Sequence, residues 1–161
     1  MNIRQANTAD SSRLLQIYRP IVENTTTSFE LVAPNEEQFA KRISSAIASH
    51  DWLVMEDGEE LCGYAYATTH RAREAYKHAV ETSVYVNSNY QRSGVGKKLY
   101  EALFESLQSR VFHNAYAGIA LPNAPSLALH ESVGFEPIGV FRDIGYKHGA
   151  WHDVSWWQRA I

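Results

Sequence analysis

The stretch from Val84 to Leu107, VYVNSNYQRSGVGKKLYEALFESL, combines three local sequence patterns. Its start continues an alternation of apolar and other side chains from Val80 to Val86, which is the period of a strand whose two faces differ. From Val95 onward, apolar residues recur at every fourth position through Leu107, as in an amphipathic helix that packs on a sheet. A turn with two glycines joins these parts. The stretch therefore predicts a strand, a glycine turn and a helix in succession.

The glycine turn, Gln91 to Lys98, has the composition of a phosphate site. A strand that feeds a helix through such a turn presents unpaired N–H groups at the positive end of the helix dipole. Gly94 and Gly96 let the backbone approach an anion, and Arg92 adds positive charge. A turn of this kind can also do no more than join a strand to a helix, and this alternative stays open here.

Two familiar phosphate-binding motifs fit this turn poorly. In an ATP-type P-loop, the position of Gln91 would hold the first glycine, and that of Lys98 would hold the Ser or Thr that contacts magnesium. A Rossmann dinucleotide site would need more than one closely spaced glycine pair, and its strand would not come late in the chain after a hairpin. Both motifs are therefore weak explanations of the turn.

The flanking sequence predicts further helices and strands. Thr8 or Asp10 can cap a first helix, and Pro34 with Asn35 opens a second helix that ends near His50. The other predicted elements are strands 3–6 and 115–120, a hairpin of 52–56 and 61–67, a short helix from 123 to 134, and final strands near 138–142 and 154–158. We expect an α/β fold in a single domain, 1–161. Its mixed, mostly antiparallel sheet would have a central parallel strand pair and flanking helices.

Composition and charge limit the classes of function. With 161 residues and 45% hydrophobic content, the chain can bury one sizeable core. The net charge of -3 and the scattered basic residues offer no broad basic field, so we expect no nucleic-acid partner. We see no export signal and no apolar run long enough to span a bilayer, so we expect a cytoplasmic protein without a membrane partner. Cys62 is the only cysteine, and its apolar setting speaks against a nucleophilic role.

Several segments resemble a known family. QRSGVG at 91–96 resembles the acetyl-CoA pyrophosphate loop of the GCN5-related N-acetyltransferase (GNAT) superfamily, and the segment 123–135 resembles its second cofactor motif. VETSVYV at 80–86, IALPNAPSLALHESVGFEPIG at 119–139 and GYKHGAWHDVSWWQ at 145–158 resemble the phosphinothricin N-acetyltransferases and their methionine sulfone and methionine sulfoximine acetyltransferase relatives. The last segment lies outside the shared cofactor motifs, so it indicates this subfamily.

The resemblance implies acetyl-CoA as the co-substrate and direct transfer of its acetyl group. The strand before the turn would pair with the pantetheine arm, and one of its N–H groups would bond the thioester carbonyl. The turn would hold the pyrophosphate, and the Asn123 side chain would anchor the pantetheine. The expected cofactor-binding residues are Val84, Tyr85, Val86, Arg92, Ser93, Gly94, Val95, Gly96, Lys97 and Asn123.

Acetyl transfer to an amine needs a base for the ammonium proton and an acid for the departing thiolate. Glu81 is the expected base, because it shares a strand face with Ser83 and Tyr85 and the resemblance places the family's proposed base there. An ordinary exposed glutamate is the alternative. For the acid, His130 stands where many superfamily members carry Tyr, and Tyr85 is the other candidate. A purely structural role for His130 is equally open.

The loop TTHRAREAYKHA, 68–79, is expected to select the acceptor. Arg71 and Arg73 can clamp the carboxylate of an amino acid, because a guanidinium pairs with a carboxylate through two bonds. Solvated basic residues are the alternative. By resemblance, these two positions contact the acceptor, and some herbicide-resistance members have Lys at the first. The expected substrate-binding residues are Phe29, Arg71, Arg73, Tyr76, Glu81 and Ser83.

The seven histidines raise the question of a metal site, particularly His148 and His152. Gly149 and the strand-like surroundings argue against a helical pair, and no Cys or carboxylate completes a set, so we expect no metal. By resemblance, and from the Trp-rich C-terminal end, we expect a homodimer.

The expected function is acetyl-CoA-dependent acetylation of the α-amino group of a small amino-acid analogue: phosphinothricin, methionine sulfoximine or methionine sulfone. One alternative keeps the fold and changes the acceptor to a polyamine, an aminoglycoside or a protein N-terminus. A cationic acceptor would need an acidic pocket, which Arg71 and Arg73 oppose. The other alternative is a CoA-binding module without catalysis.

Overall fold

Seven strands and four α-helices follow one another along the chain, and the computed structural model describes every residue from Met1 to Ile161. The strands are β1 (Asn2–Gln5), β2 (Asp51–Asp57), β3 (Glu60–Thr69), β4 (Ala79–Val86), β5 (Asn114–Ala120), β6 (Glu136–Lys147) and β7 (Ala150–Ala160). The helices are α1 (Ser11–Asn24), α2 (Glu36–Ser49), α3 (Val95–Gln108) and α4 (Ala124–Ser132). None of these helices is both long and apolar enough to cross a membrane.

All seven strands belong to one sheet, in the order β1-β2-β3-β4-β5-β7-β6. β4 and β5 are parallel, whereas every other neighbouring pair is antiparallel. Parallel neighbours need a crossover, and α3 supplies it between β4 and β5. The predicted mixed sheet, with a central parallel pair and flanking helices, is confirmed.

Helices cover both faces of the sheet. Leu99, Leu103 and Leu107 of α3 are completely buried in the larger apolar cluster, as their four-residue spacing predicts. A second cluster forms on the opposite face, where Leu14 of α1 and Phe39 of α2 are buried. Each such side chain stabilises the fold by roughly 1.5–3 kcal/mol. The sheet is therefore the middle of three layers, and alternate side chains of β4 meet different helices.

The two predicted helix starts have different outcomes. Asn35 begins α2 with a capping box, since its side chain accepts from the Gln38 N–H while the Gln38 side chain accepts from the Asn35 N–H. Asp10 is the N-cap residue of α1, as predicted, but neither its side chain nor that of Thr8 makes a capping hydrogen bond to this helix. The Asp10 carboxylate instead accepts from the Asn7 N–H, and it binds the guanidinium groups of nearby arginines.

The final two strands are longer than their sequence pattern predicts. β6 continues to Lys147 and β7 starts at Ala150, so the subfamily segment 145–158 forms the end of a hairpin. The register shifts between Phe141 and Gly145, and Asp143 has a positive φ of 49°. This irregularity breaks the two-residue period on which the prediction depended.

Asp10 is expected to stabilise the fold above pH 4. Its side chain is only 2% exposed, and the bond from Arg4 lowers its pKa from 3.8 to about 2. This stabilisation is complete above the unfolded pKa and is lost as the pH falls through the folded pKa. Asp10→Asn should therefore lower the free energy of unfolding by about 2–3 kcal/mol at pH 7, and by less at pH 3. Urea titrations at both pH values measure the difference. An equal loss in Asp57→Asn, at an exposed position, would contradict this role.

Candidate active site

β4 and β5 pair only at their starts. Their parallel pairs are Ala79 with Asn114, Val80 with Ala115, and Glu81 with Tyr116. Beyond Glu81 the two strands separate, so backbone groups that face the gap are not used by sheet pairing. Such groups need partners when they are covered. An extended ligand can supply them by lying along β4 as an added strand would.

A narrow cavity of about 50 Å³ lies in this gap. It is lined by both strands, by α4 and by the loop that follows α1. The predicted site residues on its wall are Ser83, Val84, Tyr85, Asn123 and His130. The Asn123 side-chain oxygen accepts from the Ser126 N–H at 3.2 Å, which leaves its amide N–H groups available to a ligand. The fold thus brings five of the predicted residues to one place.

The glycine turn joins the end of this gap to α3. Gly94 precedes the first residue of α3 and has a φ of +83°, a conformation that glycine adopts without strain. The first backbone bond into the helix is donated by Lys98 to the Gly94 carbonyl at 3.1 Å, so the N–H groups of residues 95–97 lack helical partners. Exposed Arg92 and Lys97 add positive charge. The turn therefore has the groups that an anion needs.

Glu81 lies where the sheet opens. Its backbone pairs with Thr68 on one side and with Tyr116, the last paired residue of β5, on the other. Its side chain is about one-third exposed at 34%, and its Oε1 lies 3.4 Å from His70 Nδ1. A carboxylate in this position is accessible to an acceptor and adjacent to the gap that would hold an extended ligand.

His130 is buried, and both of its ring nitrogens are hydrogen-bonded. Its Nδ1 lies 2.7 Å from the Ser126 carbonyl, and its Nε2 lies 2.9 Å from the Tyr100 hydroxyl. Burial lowers the pKa of His130, so the ring is neutral at neutral pH and donates from Nδ1 while accepting at Nε2. Burial also raises the pKa of Tyr100, which keeps this hydroxyl protonated. The pair is a fixed wall of the cavity.

Tyr85 lies on the same cavity from the other side. Its ring contacts the Tyr18 ring edge-on, with 5.0 Å between the ring centroids, and its centroid lies 5.3 Å from that of the Tyr64 ring. Burial raises the pKa of the Tyr85 hydroxyl well above its usual value. Tyr85 therefore carries a proton at neutral pH.

Arg71 and Arg73 do not line the 50 Å³ cavity but lie on a separate, shallow surface pocket with His50 and Glu74. Arg71 lies over the Tyr76 ring, with its guanidinium carbon 5.9 Å from the centroid. The Tyr76 ring in turn lies 6.1 Å from the ring of His70. A chain of side chains thus connects this basic loop to Glu81.

Phe29 is held by the end of the β6–β7 hairpin. A Cβ at Gly145 would overlap Phe29 Cε2, so only glycine allows this approach. The buried Lys147 donates from Nζ to the carbonyls of Val22 and Ser28 at 2.6 and 2.7 Å, and burial lowers its pKa. The hairpin therefore fixes the loop on which Phe29 lies.

Three residues of this region were missed by sequence reasoning: His70, Tyr100 and Lys147. His70 lies just after β3 and Tyr100 lies within α3, and their contacts join distant parts of the chain. Lys147 lies inside the subfamily segment 145–158, which was the available signal for it.

No group of three or more His, Cys, Asp or Glu side chains is close enough to hold a metal ion.

Known proteins resemble the whole chain. The family model described as an acetyltransferase (GNAT) domain matches residues 3–156. A phosphinothricin N-acetyltransferase of Streptomyces viridochromogenes is 38% identical over 159 residues, covering 99% of this chain and 87% of that protein. An L-methionine sulfoximine/L-methionine sulfone acetyltransferase of Salmonella typhimurium is 30% identical over 162 residues, covering 100% of this chain and 95% of that protein.

Solved structures agree with these relatives. A ribosomal-protein-alanine N-acetyltransferase of Brucella melitensis superposes with a TM-score of 0.96 at 35% identity, with all of both chains covered. A GNAT superfamily phosphinothricin acetyltransferase of Sinorhizobium meliloti, in complex with AcCoA, superposes with a TM-score of 0.94 at 33% identity, covering 99% of this chain and 88% of that one. The resemblances expected from the sequence are confirmed. The family model matches nearly the whole chain, and the fold has the gap between β4 and β5. The chain therefore belongs to the GNAT family of acetyltransferases.

Proposed function

We propose that the protein transfers the acetyl group of acetyl-CoA to the α-amino group of a small amino-acid analogue of the phosphinothricin, methionine sulfoximine or methionine sulfone type. The observation that carries the proposal is the position of Glu81, an accessible carboxylate at the point where β4 and β5 separate. Residues 1–161 would act as one domain, since the matching family model spans 3–156.

Acetyl-CoA would lie in the gap between β4 and β5. Its pantetheine arm would pair with residues 84–86 and bond the Asn123 amide, while its pyrophosphate would bind the turn residues 92–97. The residues present fit this group, because the unpaired N–H groups and the two cations of the turn match an anion. Bound acetyl-CoA supplies the activated acetyl group.

Glu81 would accept a proton from the acceptor's ammonium group, which leaves a neutral amine as the nucleophile. A β4 N–H that faces the gap would hold the thioester carbonyl oxygen as charge develops on it. Direct transfer is favoured, because Cys62 is completely buried and burial raises the pKa of its thiol. The acyl carbon therefore passes to the amine without an enzyme-bound intermediate.

Tyr85 fits the role of thiolate acid better than His130. Its hydroxyl carries a proton at neutral pH, whereas neutral His130 gives its single N–H to the Ser126 carbonyl. Tyr85→Phe should lower kcat by about 10–100-fold, with little change in the KM for acetyl-CoA. Steady-state kinetics with saturating acceptor measure this effect. A larger loss of kcat in His130→Asn, with Tyr85→Phe nearly unchanged, would reverse the assignment.

The acceptor carboxylate would be held by Arg71 and Arg73, outside the 50 Å³ cavity, with Phe29, Tyr76 and Ser83 as further contacts of the acceptor. The support is that the Tyr76 ring connects Arg71 to the residues around Glu81, and that the Phe29 ring packs closely on Gly145 of the β6–β7 hairpin. An amino acid would thus present its ammonium to Glu81 while its carboxylate meets the guanidinium groups.

A protein N-terminus is the second candidate acceptor, because the Brucella melitensis relative named for ribosomal-protein alanine is as similar as the others. Release of CoA thiol from acetyl-CoA separates the candidates when phosphinothricin, methionine sulfoximine, methionine sulfone, spermidine, an aminoglycoside and an N-terminal alanine peptide are compared. The proposal predicts the highest kcat/KM with one of the first three. A preference for the peptide would establish the second candidate, and no release with any amine would favour a CoA-binding module.

A homodimer and a cytoplasmic location are part of the same proposal. The β6–β7 hairpin exposes large apolar side chains, including Ile138, Phe141, Ile144 and Trp151, and such a patch is typical of a contact surface. A free, buried cysteine suits a reducing compartment. Light scattering of the purified protein tests the dimer directly.

A further inference from the structure

His70 has a buried ring nitrogen without a hydrogen bond. It directly follows β3, its side chain is only 16% exposed, and its Nδ1 is buried without a partner. The ring stacks on Tyr116 at a centroid distance of 4.8 Å and an angle of 18°, and Trp156 meets it edge-on at 6.3 Å. Because buried polar groups are nearly always hydrogen-bonded, this nitrogen calls for an explanation.

The unpaired nitrogen faces the proposed base. His70 Nδ1 lies 3.4 Å from Glu81 Oε1, beyond the length of a good hydrogen bond but close enough for one to form with a small movement. The sheet register favours this approach, since Thr68 pairs with Glu81 and His70 follows two residues later, just past the end of β3. Aromatic side chains on three sides hold the ring at this distance.

We propose that His70 is a positioning residue that acts through Glu81. It holds the proton that the acceptor amine has lost to the Glu81 carboxylate. The inference rests on the proposed function, because it assigns Glu81 as the base. The ammonium N–H bond breaks and its proton moves to the Glu81 carboxylate. The Nδ1 lone pair of His70 then accepts that proton, so the carboxylate returns to its charged form beside an imidazolium. The proton leaves to water after acetyl transfer.

Imidazole suits this role better than a carboxylate alone. The ordinary pKa of an imidazole is about two units higher than that of a glutamate carboxyl group. Binding the proton at neutral pH therefore costs less free energy when the imidazole shares it. The other titratable or charged groups around the pair are Tyr116 on β5, Tyr66 on β3, and Tyr76 with Arg71 over its ring. None of them is a carboxylate or an imidazole that competes with Glu81 for the proton.

The test is the pH profile of kcat/KM for the preferred acceptor in wild type, His70→Phe and the control His113→Phe, which changes an exposed histidine that directly precedes β5. Phe keeps an aromatic ring that can stack on Tyr116 and removes both ring nitrogens. We expect His70→Phe to lose about tenfold or more in kcat/KM and its acid limb to move to lower pH by about one unit, because Glu81 alone then titrates. An unmoved acid limb in His70→Phe would overturn the proposal.

A second measurement does not depend on activity. Histidine ring NMR of the wild type and of Glu81→Gln follows the pH at which His70 becomes protonated. We expect the midpoint to fall by about one pH unit in Glu81→Gln, because the neighbouring negative charge is lost. Equal midpoints would overturn the proposal even if no amine in the panel is acetylated. Inactive wild-type protein with unequal midpoints would instead contradict the proposed function alone.

Discussion

Glu81→Gln is expected to lower kcat for the amino-acid acceptor by about 10²-fold or more, because general base catalysis contributes effects of this size. Gln keeps the shape of the side chain and its strand pairing with Thr68 and Tyr116, so the fold and the cofactor site remain intact. Acetyl-CoA affinity should therefore be unchanged in isothermal titration calorimetry. The measurement of interest is thiol release at saturating concentrations of both substrates.

Glu101→Gln is the matched control for Glu81→Gln. Glu101 lies on α3 near the cofactor turn, where its side chain is 53% exposed and only 4.0 Å from the Lys97 ammonium. Its replacement is expected to leave kcat within about twofold of the wild type. Full turnover in Glu81→Gln would remove this carboxylate from the mechanism, whereas equal losses in both variants would indicate a general effect of lost negative charge.

Lys147→Met is expected to lower the free energy of unfolding by about 3 kcal/mol, because two buried carbonyl groups lose a charged donor. These carbonyls belong to Val22 at the end of α1 and to Ser28, the residue before Phe29. The loop that carries Phe29 would loosen as well. We therefore expect a higher KM for the acceptor, with the KM for acetyl-CoA much less affected.

Urea unfolding and acceptor kinetics of Lys147→Met are compared with those of Lys41→Met. Lys41 is an exposed residue of α2, so its replacement removes the same charge without exposing or orphaning a buried group. If the two variants were equally stable and had equal acceptor KM values, the buried bonds of Lys147 would have no part in holding the Phe29 loop.

Local sequence patterns account for most of the fold. The four-residue spacing from Val95 to Leu107 gives α3 its buried face, and the glycine turn appears in the structure as an unpaired helix start with Gly94 at a positive φ. The β6–β7 hairpin was predicted less well, since its register shift near Asp143 interrupts the alternation. Pattern reasoning works where one element repeats regularly, and it fails where a bulge changes the period.

The candidate site was predictable only in part, for a physical reason. Glu81, Tyr85 and Asn123 lie on or beside motifs that sequence can identify, and the fold places them around one gap. His70 and Tyr100 gain their importance from contacts with residues 11 and 30 positions away. Such pairs are set by sheet register and helix packing, which no local pattern specifies.

Acetylation of an amino acid is tested most simply with two amines, methionine sulfone and the same compound without its carboxylate. Their kcat/KM values are compared in the wild type and in Arg71→Gln. The site is proposed to hold an amino acid by its carboxylate while Glu81 takes the ammonium proton. We therefore predict a preference of about 10²-fold or more for the amino acid, reduced in Arg71→Gln. Equal kcat/KM for the two amines in the wild type would contradict amino-acid acetylation as the function of this site.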